Sequence, residues 1–261
     1  MKRLRAYFLP SLAPAGELAG TTCVVIDVLR ATTSIVAALA AGAKEVLPCQ
    51  EIDEAQRLAG TLPSGTVLLG GERAGGKISG FDLGNSPAEF SDAAVRGKSL
   101  VMTTTNGTRA LHHARAAKRV LLASFLNLEA TARSLAGDDD VTLLCAGTDG
   151  QITREDVLLA GALAMLLRAP LAPSSIPGDP DLNDQAWLAV PAWLQVARAG
   201  GGRLPQLRLA LGMALRDTRG GHNLIGMGLD ADLTAAAQID SAPLVAEFVP
   251  DTGRITAVAS Q

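Results

Sequence analysis

Residues 21–42 read TTCVVIDVLRATTSIVAALAAG and combine three kinds of segment. The β-branched run at residues 21–27 predicts a buried strand. Residues 28–33 predict a short polar loop, and the alanine-rich run from about Ser34 to Ala41 predicts a helix that ends at Gly42. A strand, a loop and a helix in this order predict the start of a βαβ unit.

The same order of segments occurs twice more. The corresponding strands, loops and helices are residues 100–102, 103–108 and 109–117, and residues 141–145, 146–153 and 154–167. Strands that alternate with helices of this length predict a three-layer α/β/α fold with a mainly parallel or mixed sheet. Because ligands bind beyond the carboxyl ends of such strands, we expect the three polar loops to converge on one site.

Further elements are predicted around these units. They are strands at residues 1–10 and 45–49, helices at residues 187–199 and 204–215, and a closing hairpin of residues 244–249 and 254–258. Six glycines in residues 70–84 predict an irregular loop folded closely over something, and residues 219–224 predict a polar loop that opens a short helix. Residues 168–184 hold four prolines and three aspartates, which predicts a surface excursion from a single domain of residues 1–261.

Composition excludes several classes of protein. The chain has 261 residues, 48% of them hydrophobic, and a net charge of −3, so a general nucleic-acid binder is not expected. No apolar run reaches the length of a membrane span, and the N-terminus lacks a convincing signal peptide, so we expect a cytoplasmic protein. The three cysteines fit neither a disulfide framework nor a zinc site and are predicted to be buried thiols. A homodimer is compatible with this size.

The loop after the first strand carries groups suited to phosphate chemistry. Asp27 can hold a divalent metal or act as a nucleophile, and Arg30 can clamp a phosphate through two hydrogen bonds. Thr32 and Thr33 lie where the helix begins, and a helix N-terminus favours an anion. The simpler alternative is that Thr33 only caps the helix and that Asp27 and Arg30 form a solvated pair.

The second and third loops extend this pattern. Residues 103–109, TTTNGTR, predict an anion cradle in which Gly107 permits close approach of the backbone and Arg109 adds charge; the alternative is a tight turn at Asn106-Gly107. Asp149, Glu155 and Asp156 supply oxygen ligands of the kind that Mg²⁺ prefers. The alternative for the last two residues is that they stabilise the first turn of a helix.

Familiar phosphatase and nucleotidase motifs are missing from the sequence. Residues 71–77 fit G-x-x-x-x-G-K, but Ile78 stands where a P-loop needs serine or threonine, so only Glu72 and Arg73 are expected to reach the site. Cys145 has no arginine six positions later. The three histidines do not form a zinc constellation.

Six segments together resemble the 2-phosphosulfolactate phosphatase family. They are residues 27–33, 70–76, 80–87, 103–111, 146–156 and 220–228. The chain departs from the expected pattern at Ala74, where another glycine is expected. The resemblance implies an α/β enzyme that uses Mg²⁺ to hydrolyse (R)-2-phospho-3-sulfolactate to sulfolactate and phosphate, a step toward coenzyme M.

The resulting hypothesis assigns three groups of residues, with water or Asp27 attacking phosphorus in line. The catalytic residues are Asp27, Arg30, Arg109 and Asp149. The residues that bind the phosphorylated acid are Thr32, Thr33, Arg73, Asn85, Thr104, Thr105, Asn106, Gly107 and Thr108. The Mg²⁺ ligands are Asp27, Asp149, Glu155 and Asp156. Two alternatives stay open: a phosphatase for another 2-hydroxy-acid phosphate, and a non-catalytic binder of phosphorylated or sulfonated metabolites.

Overall fold

Ten strands form one mixed sheet in the computed structural model, which describes residues 3–14, 16–168 and 181–258. The strands are β1 (Arg3–Tyr7), β2 (Thr22–Ile26), β3 (Glu45–Cys49), β4 (Val67–Arg73), β5 (Gly76–Lys77), β6 (Ser99–Thr103), β7 (Arg119–Ala123), β8 (Asp140–Cys145), β9 (Val245–Val249) and β10 (Arg254–Val258). The helices are α1 (Ala31–Ala40), α2 (Ile52–Thr61), α3 (Asp92–Val95), α4 (Gly107–Ala114), α5 (Leu128–Ser134), α6 (Arg154–Arg168), α7 (Asp184–Ala199), α8 (Leu204–Arg216), α9 (Arg219–Gly226) and α10 (Asp230–Ala236).

The sheet consists of two parallel blocks joined by the closing hairpin. Strands β1, β8, β2 and β7 form one parallel block, and β3, β6 and β4 form the other. The hairpin of β9 and β10 lies between them and pairs antiparallel with β7 and with β3. The hairpin is therefore confirmed, and its three antiparallel pairings reverse the strand direction from one block to the other.

Both faces of the sheet are covered by helices, which confirms the three-layer α/β/α fold. Successive side chains of a strand point to opposite faces, so Val24 and Ile26 of β2 enter one apolar cluster and Cys23 and Val25 enter another. The first cluster includes residues of α5, α6 and α7. The second includes residues of α1 and α4.

Helices α1 and α4 connect the two blocks. Val25 of the first block and Leu100 and Met102 of the second share one apolar cluster with Ile35 of α1 and Leu111 of α4. In a flat sheet the reversed strands would put the loops after β2 and β6 at opposite edges. Both blocks instead pack against the same two helices, α1 and α4.

Most predicted elements are confirmed within a few residues, and two interpretations are wrong. Residues 70–84 are not wholly irregular, because Gly70 and Gly71 belong to β4, where a side chain at Gly71 would collide with the Thr103 carbonyl group. Residues 219–224 form a helix, α9, rather than a loop. Of the predicted excursion at 168–184, residues 169–180 lie outside the described part.

The structure also tests the predictions about the cysteines and about membrane-spanning segments. All three cysteines are buried thiols, as predicted. Among the described residues, no helix combines the length and the apolar character needed to cross a membrane.

Candidate active site

A cavity of about 390 Å³ opens where the three predicted polar loops meet. This volume lies in the range of small-molecule sites. The expected convergence of the loops is therefore confirmed. Of the predicted site residues, the cavity is lined by Asp27, Arg30, Asn85, Thr104, Thr105, Asn106 and Asp149.

Asp27 lies at the end of β2 and is only 7% exposed. Its Oδ1 accepts a hydrogen bond of 3.2 Å from the Ala31 N–H. Burial, assisted by the nearby carboxylates of Glu72 and Glu155, raises the pKa of Asp27 to about 7, against the opposing effects of the Ala31 N–H and of Arg30. A carboxyl group with a pKa near neutral is suited to proton transfer in an active site.

Glu72 joins two of the loops that form the cavity. It lies one residue before the end of β4, and its two carboxylate oxygens accept hydrogen bonds of 2.8 Å from the N–H groups of Gly75 and Thr105. The expectation that Glu72 reaches the site is confirmed. Its buried carboxylate adds negative charge beside Asp27.

Arg30 lines the cavity but already has two partners. Its Nη1 lies 2.9 Å from Oδ2 of the buried Asp232, and its Nη2 donates a hydrogen bond of 2.6 Å to the Gly75 carbonyl group. Asp232 also accepts a hydrogen bond from Ser86. Most of the positive charge of Arg30 is thus balanced within the protein, and its role as a phosphate clamp stays a prediction.

Gly107 explains how the threonine-rich loop comes so close to Asp27. A Cβ atom at this position would lie 2.9 Å from Asp27 Oδ2 and 2.5 Å from the Ala31 side chain. Only glycine allows this approach without displacement of the neighbours. Its contribution is therefore to bring Thr104, which lines the cavity, next to Asp27.

Glu155 and Asp156 lie behind the cavity wall. Asp156 accepts hydrogen bonds from the N–H groups of Val28 and Gly147, at 2.9 and 3.0 Å, and from the Thr153 hydroxyl. Burial, with the charges of Asp27 and Glu155, raises the pKa of Asp156 well above its ordinary value. Neither acidic residue lines the cavity, so their visible role is to hold the surrounding loops together.

The structure places several other predicted residues outside the cavity wall. The Thr33 hydroxyl donates to the Val28 carbonyl group at 2.7 Å, and Arg73 donates to the Gln50 carbonyl group at 2.7 Å. Arg109 is exposed on α4. The residues predicted to bind substrate that do not line the cavity are Thr32, Thr33, Arg73, Gly107 and Thr108.

Two buried polar atoms in the cavity wall lack partners. No donor among the described residues bonds to Asn85 Oδ1, and Thr105 Oγ1 is likewise unpaired there. Buried polar groups in native proteins are nearly always satisfied by protein, water or a bound ligand. These two oxygens therefore need a partner that the described residues do not supply, either water or a ligand.

Helix α9 forms one wall of the cavity. Gly220, Asn223, Leu224 and Met227 of this region line it, and none of them is among the predicted site residues. The sequence does contain a hint of this wall, because the glycine-rich residues 220–228 are one of the six segments that carry the family resemblance. Its helical conformation, which turns residues 220, 223 and 224 to one side, could not be seen in the composition.

The charge of the cavity limits what it can bind unaided. Three carboxylates, those of Asp27, Glu72 and Asp149, line it, and Arg30 is the only basic side chain in the wall as far as the structure describes the chain. No group of three or more His, Cys, Asp or Glu in the described ranges is arranged to hold a metal. Mg²⁺ needs only one or two carboxylates and keeps several waters, so Asp27 and the free oxygen of Asn85 fit this ion, with the Glu72 carboxylate adding negative charge beside Asp27.

The chain is similar to known proteins over most of its length. The family model described as 2-phosphosulpholactate phosphatase matches residues 7–250. A protein of Symbiobacterium thermophilum named probable 2-phosphosulfolactate phosphatase is 40% identical over 91% of this chain and 95% of its own length. Proteins with the same name from Deinococcus radiodurans and Pseudothermotoga lettingae are 42% and 38% identical over 87% and 88% of this chain, and over 87% and 90% of their own.

The α/β fold, the polar cavity and these matches together define a phosphoric monoester hydrolase. The chain belongs to the 2-phosphosulpholactate phosphatase family.

Proposed function

We propose that this enzyme uses Mg²⁺ to hydrolyse (R)-2-phospho-3-sulfolactate to 3-sulfolactate and phosphate, a reaction of the coenzyme M type of pathway. The observation that carries the proposal is the electrostatic mismatch of the cavity. A substrate with phosphate, sulfonate and carboxylate groups meets three carboxylates and one arginine that is already paired. Such a complex requires an added cation, and a divalent ion supplies the positive charge.

Asp27 and Asn85 are the residues that would hold the ion, and the Glu72 carboxylate adds negative charge beside Asp27. Asp27 Oδ2 accepts no hydrogen bond from the described residues, and Asn85 Oδ1 is unpaired in the same part of the chain. When bound, Mg²⁺ would neutralise phosphoryl oxygens and favour the ionised form of Asp27. Of the other predicted ligands, Glu155 and Asp156 are assigned a positioning role in this proposal, and Asp149, which lines the cavity with an exposed side chain, is not assigned to the ion.

The remaining steps belong to the protein. The hydroxyl of Thr104 and the side-chain amide of Asn106 orient the phosphate, and Asp27 lies at the end of β2 in the same cavity wall. Water or Asp27 attacks phosphorus in line as the bond to the ester oxygen breaks. Mass spectrometry of acid-quenched enzyme separates the two routes, because only attack by Asp27 leaves a phosphoryl group on the protein.

The test is phosphate release from three esters, each measured with Mg²⁺ and with EDTA. The esters are 2-phospho-3-sulfolactate, 2-phospholactate and 2-phosphoglycerate. We expect release that requires Mg²⁺ and is fastest with the sulfonate. Faster release from either of the other esters would show that the proposed substrate is wrong. Release in EDTA would show that the enzyme does not need Mg²⁺, and binding without release would contradict hydrolysis.

A further inference from the structure

Arg219 lies at the rim of the cavity and is not bound firmly to any neighbour. It is the first residue of α9, and the next residue, Gly220, lines the cavity. Its Nη2 lies 3.8 Å from Asp149 Oδ2, and the two side chains are 49% and 65% exposed. This separation exceeds a hydrogen-bond distance, so the pair is held by charge alone and its geometry is loose.

Other arginines in the neighbourhood are tied more closely. Arg30 is buried and bonded to Asp232 and to the Gly75 carbonyl group. Arg216, on the preceding helix, lies 2.9 Å from Asp230 Oδ1. Arg219 can therefore change its partner at lower cost than either of these residues.

The position of Arg219 is fixed by the backbone although its side chain is loosely held. The Thr218 hydroxyl caps α9 by accepting a 3.0 Å hydrogen bond from the Gly221 N–H. Gly220 packs against the Glu155 carboxylate, and a side chain at Gly221 would collide with the Leu215 carbonyl group. The start of α9 is thus held rigidly beside the cavity.

Asn223 adds a second polar group on the same side of the helix. Residues four positions apart lie on one face of an α-helix, and Asn223 lines the cavity. Arg219 and Asn223 therefore border one part of the cavity wall. A guanidinium group beside an amide is suited to a carboxylate or a sulfonate.

We propose that Arg219, assisted by Asn223, binds an acid group of the substrate other than the phosphate and so selects esters that carry one. The acid group replaces Asp149 as the partner of Arg219 when the substrate binds. This assignment rests on the proposed function, because it takes the phosphate to lie near Asp27. It makes Arg219 a specificity-determining residue and Asp149 its partner in the free enzyme.

The first test compares kcat/KM for three esters in wild type, Arg219→Ala, Arg219→Lys and the control Arg216→Ala. The esters are 2-phospho-3-sulfolactate, 2-phospholactate and isopropyl phosphate, which has no second acid group. We expect Arg219→Ala to raise KM about 10- to 100-fold for an ester whose acid group is bound, with isopropyl phosphate unaffected. An effect on the sulfonate alone identifies the sulfonate as the ligand, and a shared effect with phospholactate identifies the carboxylate.

Arg219→Lys should retain part of the affinity, and Arg216→Ala should match wild type. Equal losses on all three esters, or no loss on the acid esters, would overturn the assignment. Absence of turnover in wild type would instead contradict the proposed function.

Binding of 3-sulfolactate, measured by calorimetry, tests Arg219 independently of turnover. We expect Arg219→Ala to weaken this binding about tenfold or more and Asp149→Asn to strengthen it about threefold, since Arg219 is then released from its partner. Unchanged binding in Arg219→Ala would refute the proposal even if no ester were hydrolysed.

Discussion

Asp27 in the cavity wall and Asp156 behind it are alike in most respects. Both aspartates are buried, with exposures of 7% and 2%, and burial raises the pKa of each. They differ in their hydrogen bonds. Both oxygens of Asp156 accept bonds from surrounding donors, whereas Asp27 accepts one bond, at Oδ1.

This difference in hydrogen bonding distinguishes a structural carboxylate, Asp156, from a carboxylate that is available for chemistry, Asp27. Asp156 stabilises the loops at Val28 and Gly147 and has little capacity left for a ligand. Asp27 lines the cavity and keeps one oxygen for a proton, a metal or phosphorus. Residue type and depth of burial do not reveal the distinction, because a buried carboxylate can be structural or reactive.

The largest expected effect is loss of turnover in Asp27→Asn. The amide keeps the size of the side chain and removes its charge, so we expect kcat for the phosphate ester to fall about 10³-fold or more. The free energy of unfolding, measured in urea, should not fall. A rate close to that of wild type would show that Asp27, like Asp156, takes no direct part in the reaction.

The pH dependence of stability tests the same carboxylate. Its folded-state pKa, about 7, exceeds the ordinary value of 3.8. The resulting stabilisation is fully present below the ordinary pKa and is lost as the pH rises through the folded one. Without metal, we expect Asp27→Asn to gain about 2 kcal/mol or more relative to wild type between about pH 5 and about pH 8.5.

Urea unfolding at both pH values provides this measurement. At the higher pH, Mg²⁺ should raise the free energy of unfolding of the wild-type protein, since a ligand that binds the folded state stabilises it. It should leave the free energy of unfolding of Asp27→Asn unchanged, because this variant lacks the carboxylate that would hold the ion. A pH-independent difference between the two proteins would show that Asp27 does not titrate in this range.

Asp156→Asn should act mainly on stability. The amide cannot accept hydrogen bonds at both of its positions, so a backbone N–H of Val28 or Gly147 loses its acceptor. We expect a loss of about 1–3 kcal/mol in the free energy of unfolding and a fall of about tenfold in kcat through displaced loops. Undiminished stability with a loss as large as that of Asp27→Asn would give Asp156 a chemical role and remove the contrast.

Arg109→Ala should have the smallest effect, since this exposed residue lies outside the cavity wall. We expect kcat/KM to change by about twofold at most. Steady-state kinetics with the phosphosulfolactate ester are sufficient to measure it. A tenfold loss would show that the catalytic role assigned from sequence holds and that α4 moves toward the substrate.

Local patterns made much of the fold and part of the site predictable. Asp27 and residues 104–106 could be found because polar side chains directly follow apolar strands. The placement of the β9–β10 hairpin between two parallel blocks depends on tertiary packing, so the local sequence of the hairpin does not predict it. Composition misled at Gly71, which belongs to β4 and is a glycine because the neighbouring β6 backbone leaves no room for a side chain.

Helix α9 was missed for a related reason. Two adjacent glycines disfavour a helix by intrinsic propensity, yet Gly220 and Gly221 are needed where α9 packs against Glu155 and the end of α8. Glu72 was expected from its loop, but its bonds to Gly75 and Thr105 join segments far apart in sequence. Such contacts follow from the fold and not from a motif.

The most direct test of the central claim is the initial rate of phosphate release from (R)-2-phospho-3-sulfolactate as a function of Mg²⁺ concentration, starting from EDTA-treated enzyme. The cavity charge predicts no release without the ion and a saturable rise as it is added. A rate that does not depend on Mg²⁺ would contradict the account of a carboxylate-lined site that needs a cation to accept its substrate.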